Sequence, residues 1–146
     1  MEKLVALCCL WAFGLGAKED YSAELDRLFL ENPEDNFLLE LECLGGDRAA
    51  ALHQMTEPLV LSLNVDVFGK ELFAALEKVY CENRLPLAEF GGRCYEIWNW
   101  LPYPYIHNCN EPFHTLCYGD DPLSYGDEAQ SRRLYEAAFD YYKERK

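Results

Sequence analysis

Positive charge is scarce in this chain. Thirteen lysines and arginines stand against 26 aspartates and glutamates, a formal net charge of −13 over 146 residues. Such a surface repels phosphate backbones and anionic lipid headgroups, which argues against nucleic acid and membrane as partners. The usual signatures of catalysis are missing too. There is no glycine-rich phosphate loop, no Gly-x-Ser-x-Gly and no His-Glu-x-x-His. No internal repeat, low-complexity tract or long linker divides the chain, so residues 1–146 read as a single domain. The longest apolar run, Leu4 to Ala17, is too short to span a bilayer.

Paired cysteines are lacking as well. The seven, at positions 8, 9, 43, 81, 94, 109 and 117, are odd in number and show no disulfide-framework spacing. Most sit among apolar neighbours, as buried free thiols do, and the expected location is the cytoplasm. Residues 1–17 superficially match a secretory signal. Glu2 offsets Lys3, however, and Leu15 spoils the small-x-small pattern before Ala17. A buried first helix is the preferred reading of 1–17, with a signal segment as the alternative.

What the chain does have is apolar substance: half of its residues are hydrophobic, including ten Tyr, eight Phe and three Trp. That supports a packed core. Punctuation then cuts the chain into helical pieces. Gly14 and Gly16 close the first piece, and Ser22 is placed to cap a second through Leu30. Asn32-Pro33-Glu34-Asp35 reads as a helix start, with Asn32 as cap and Pro33 in the first turn. Gly45-Gly46 ends that helix, and Asp47 can cap the next through Met55.

Residues 58–66 alternate apolar and polar, the period of a strand. An isolated strand has no partner here, so helix or extended connector is expected. With Asp66 as a plausible cap, Phe68, Leu72, Phe73, Leu76, Val79 and Tyr80 then share one helical face. Leu87, Phe90, Cys94, Ile97, Trp98 and Leu101 form the next such stripe after Pro86. A last helix runs from about Asp127 to Tyr142. The expected class is all-α, a compact single-domain bundle of about five to seven helices, with a short extended segment at 58–66 as its one irregularity.

Chemistry-bearing residues concentrate in "YIHNCNEPFHTLC", residues 105–117. His107, Cys109, His114 and Cys117 are the four metal-ligand types of this stretch, but only four residues separate the two pairs. Zinc modules need about a dozen there so that two elements can close on the ion. Cysteine nucleophilia fits no better, since Glu111, Asp120 and Asp121 would raise a thiol pKa. "DDPLSYGDE" fails calcium-loop spacing in either register. A metal-binding protein or enzyme built on His107–Cys117 therefore stays the alternative, and no cofactor is implied.

The preferred expectation is binding without catalysis. Residues 18–66 carry 12 acids and 3 bases, which would draw a basic protein partner, with Glu34 and Asp35 at a helix start. Trp100 falls on the polar side of its helix, followed by Tyr103, Tyr105 and Ile106. These residue types anchor interfaces. The chain thus reads as a small acidic helical module of inhibitor or immunity type.

Overall fold

The computed structural model describes residues 1–56, 58, 62–102 and 111–144. Among these the chain is helical throughout and contains no strand. The all-α expectation holds, but the helix count is higher than five to seven. Among the described residues eight α-helices are delimited: α1 (Glu2–Ala12), α2 (Lys18–Glu31), α3 (Asn36–Leu44), α4 (Arg48–Gln54), α5 (Val65–Glu82), α6 (Leu87–Trp100), α7 (Thr115–Tyr118) and α8 (Glu128–Tyr141). A 3₁₀ turn, Asp121–Tyr125, precedes α8. The helix after Asp47 is present as expected; the one-turn α7 carries too few apolar positions to show a period.

Helix α1 is the central element. It is apolar on nearly every face, and Leu4, Val5, Ala6, Cys8, Cys9, Leu10 and Trp11 are all buried. A helix without a polar face must be surrounded. Helices α2, α4 and α5 pack around it. At its end Gly14 takes a left-handed φ of 77°, and Leu15 and Gly16 both donate backbone hydrogen bonds to the Leu10 carbonyl. This closure sends α2 back along α1, where Tyr21 stacks on Trp11 with ring centroids 5.1 Å apart. The Glu2 carboxylate accepts the Asn64 backbone N–H at 3.2 Å and so holds the start of α5 beside the start of α1.

Caps decide the remaining boundaries, and three differ from the sequence reading. Asn32 closes α2: its backbone N–H and its side-chain amide both donate to the Leu28 carbonyl. The cap of α3 is Asp35, whose carboxylate accepts from Phe37 N and Leu38 N. Asn32 therefore serves the preceding helix. Similarly Asn64, two residues before Asp66, caps α5 through Asp66 N and Val67 N. Ser22 lies inside α2, which starts at Lys18. At α3 and α5 two cap-competent residues lay within reach, and tertiary placement chose between them, whereas α2 starts after Ala17 with no side-chain cap. The 58–66 segment has Pro58 in a helical state, a turn at Ser62 and α5 beginning at Val65, so its described part is not extended strand; residues 59–61 lie outside the description.

The second half of the core is aromatic. Phe113 lies between Phe68 and Phe73, at 6.3 and 5.7 Å. Tyr80 meets Phe90 and Phe139 edge-on, at 5.6 and 5.2 Å. Helices α5, α6 and α8 are thereby joined around rings whose edge-to-face contacts add to their burial. No helix among the described residues is long and apolar enough to cross a membrane.

Central burial of α1 makes the fold sensitive to it. Leu4 is completely buried. Leu4→Ala is expected to cost about 2–5 kcal/mol, read as a loss of chemical-denaturation midpoint. A chain starting at Lys18 is expected to show no cooperative thermal transition.

Candidate functional site

A concavity lies where α2 and α5 flank α1. It encloses about 700 Å³, within the size range of ligand and peptide sites. Each helix contributes one stripe. Helix α1 offers Lys3, Ala6, Leu7 and Leu10; α2 offers Asp20, Ala23, Glu24 and Arg27; α5 offers Glu71, Ala74, Ala75, Lys78, Val79 and Glu82. The spacings of three, four and seven are those of a single helical face. The middle of the groove is small and apolar, because Ala6, Ala23, Ala74 and Ala75 contribute only methyl groups.

Charges line the rim in both signs, unlike the acidic molecule as a whole. Glu24 is the deepest, with only 6% of its surface exposed. Arg27 donates to it at 2.5 Å, and Lys3 lies at 4.0 Å. The Arg27 hydrogen bond holds the Glu24 carboxyl below its ordinary pKa, against the opposing effect of burial. Arg27 also reaches Glu31 at 2.9 Å, and Arg84 pairs with Glu82. Three rim charges differ: Asp20, Glu71 and Lys78 take part in none of the ion pairs among the described residues.

An acidic face adjoins the groove along α2 and α3. Glu19, Asp20, Asp26, Glu31, Glu34, Asp35, Glu40 and Asp47 are all exposed, and Leu30 stands among them at 79% exposure. Of the two acids singled out in sequence, Glu34 is a free surface carboxylate, whereas Asp35 is committed to capping α3. Asp26 and Glu42 bring two carboxyls together between α2 and α3. Burial, then the hydrogen bond and charge of Asp26, raise the Glu42 pKa.

The aromatic candidates divide. Trp100 is half-buried, its ring 6.2 Å from Phe13, so it is partly absorbed into a satellite of the core. Trp98, expected in the core, is likewise half-buried and packs against His114 at 5.1 Å. Tyr103, Tyr105, Ile106, His107 and Cys109 lie outside the described residues. Pro112 and Phe113 are buried, as a proline-started turn requires, and the Tyr118 hydroxyl donates to Glu111 at 3.1 Å. The Cys117 thiol is pushed up by burial and by Asp121 and Asp120, which disfavours a thiolate there. Among the described residues no three His, Cys, Asp or Glu side chains are gathered for a metal ion.

The groove was not visible in the sequence. Its residues read as ordinary helix positions, and the alanines as good helix formers. A signal did exist in the coincidence of Ala6, Ala23 and Ala74-Ala75 on three separate helices, but only their assembly shows that these face one space. No protein-family model, no curated protein and no solved structure matches the chain, so its own geometry carries the functional argument.

Two outcomes follow. Burial pushes the Cys8 thiol up to about 12 and, with Cys8 and Cys94 nearby, the Cys9 thiol well up, while Cys43 and Cys81 are exposed. Alkylation near neutral pH, read by mass spectrometry, is expected to modify Cys43 and Cys81 first and to reach Cys8, Cys9 and Cys94 only after denaturation. Glu42 gives a pH signature. Its folded pKa lies above the unfolded one, so its charged form opposes folding at neutral pH, and the cost disappears as pH falls below the ordinary carboxylate range. Glu42→Gln is therefore expected to raise the melting temperature at pH 7, with the gain shrinking toward zero at low pH.

Proposed function

We propose that the chain is a small acidic helical binding protein, a protein–protein interaction module of inhibitor or immunity type. The observation that carries this reading is the groove of about 700 Å³ between α1, α2 and α5. Three helices turn side chains toward it, and its small apolar middle is bordered by charges of both signs, of which Asp20, Glu71 and Lys78 belong to no ion pair among the described residues. A space of this kind suits insertion of a segment from another chain. Apolar contact would supply affinity and the rim would set register.

The acidic exterior has a separate role in this reading. A net charge of −13 steers a basic partner toward the molecule before contact. The α2–α3 face, with eight exposed carboxylates, is the part of the surface best suited to that steering. Steering acts on the association rate and is screened by salt. Groove contacts act on dissociation. The raised Cys117 pKa also favours binding over thiol chemistry in the His114–Cys117 region.

The test uses the tagged chain and an Ala74→Trp variant, in which the exposed Ala74 position fills the groove without touching the core. Both are used to recover partners from the cells that produce the protein, with thermal melts to show that both fold. A basic protein is expected to be recovered by the native chain and lost with Ala74→Trp. Its association rate should fall about tenfold or more between low and high salt. Equal recovery of the same proteins by both chains would remove the groove from the interface.

A further inference from the structure

We infer that the occupant of the groove is an amphipathic α-helix of a partner protein, about three turns long, that presents a basic and an acidic side chain two turns apart. This rests on the binding reading above and adds the conformation and charge pattern of the bound segment.

Backbone accounting favours a helix. Most of the groove is helix face, Lys3 to Leu10 on α1, Asp20 to Arg27 on α2 and Glu71 to Glu82 on α5, with the Gly14–Ala17 loop and Arg84 completing the lining. Along such faces the backbone N–H and C=O groups are already bonded within the helices. An extended peptide lying there would find no backbone partners and would leave its own buried groups unsatisfied. A helix satisfies its own backbone and offers only side chains, which is all these walls can receive.

Dimensions agree. Glu71 and Glu82 are eleven residues apart, about 16 Å along the axis of α5, or three helical turns. Methyl-sized side chains at Ala23, Ala74 and Ala75 permit close approach of a fourth helix, toward the short end of the usual 8–10 Å interaxial range. An inserted face of Ala, Leu and similar residues suits that close approach.

Charge supplies the register. Glu71 and Lys78 lie seven residues apart on the groove side of α5, about 10 Å along its axis, and neither belongs to an ion pair among the described residues. Asp20, on the opposite wall, belongs to no ion pair among the described residues either. A helix with Lys or Arg at one position and Glu or Asp seven residues away meets both α5 charges at once. It can do so in either direction along the groove by exchanging which end comes first.

The test uses synthetic peptides and fluorescence anisotropy on the full chain. One 17-residue peptide is helical, with an Ala/Leu face and a Lys–Glu pair seven residues apart. A second has Lys at both positions, and a third carries two central prolines. The Lys–Glu peptide is expected to bind. The Lys–Lys peptide should bind about threefold to tenfold more weakly and recover on the Lys78→Glu variant, whose exposed site spares the fold. The proline peptide should not bind. Equal binding of the proline and helical peptides overturns the helical occupant, as does binding of a dansylated fatty acid with none of the peptides. If no peptide binds while Ala74→Trp still abolishes partner recovery, the helix inference fails and the groove reading survives. If Ala74→Trp changes neither measurement, both fail.

Discussion

Everything in this molecule depends on covering α1. A helix with no polar face cannot lie on a surface, because each exposed apolar side chain costs about 1–3 kcal/mol relative to burial. Helices α2, α4 and α5 are placed by that requirement, and the aromatic layer of α5, α6 and α8 then builds outward from the far side of α5. Polar interactions mainly set ends and orientation. The Glu2 carboxylate on Asn64 N holds two helix starts together, and Asp35, Asp47, Asn64 and Asp127 cap the helices that follow them.

Along one stripe α1 is covered only thinly, with Ala6 and Leu10 buried and Leu7 half-buried, and that stripe floors the groove. Three helices packed around a cylinder leave a sector open unless a fourth joins them. Here the sector is lined by alanines and bordered by charges of both signs, in a protein otherwise dominated by carboxylates. The cluster of Lys3, Glu24 and Arg27 shows how the rim is kept from collapsing into a purely acidic edge. A buried carboxylate is made tolerable by two cations, and those cations are in turn held at the groove. Asp20, Glu71 and Lys78 belong to no ion pair among the described residues.

Much of the fold was legible one helix at a time. The stripes Phe68-Leu72-Phe73-Leu76 and Leu87-Phe90-Cys94-Ile97 are buried as their period required. Gly14 and Gly45 adopt the positive φ that ends a helix. The errors fell where local rules offered two answers. Asn32 and Asp35 could each cap, as could Asn64 and Asp66, and the choice turned on where the preceding helix ran out. Trp100 was on the polar side of its helix but came to rest on Phe13, a residue 87 positions away that no local pattern connects to it.

By itself, then, the sequence determined the helical class, the buried character of residues 4–11 and the sign of the molecular charge. These are properties of composition and of period along one helix. The tertiary structure alone decided which alanines share a groove, which carboxylate is paired with Arg27 and Lys3, and which rim charges join no ion pair among the described residues. The physical reason is geometric. Periodicity states which face of a helix turns inward, but not which neighbours meet it. A site formed by three helices exists only in their mutual arrangement.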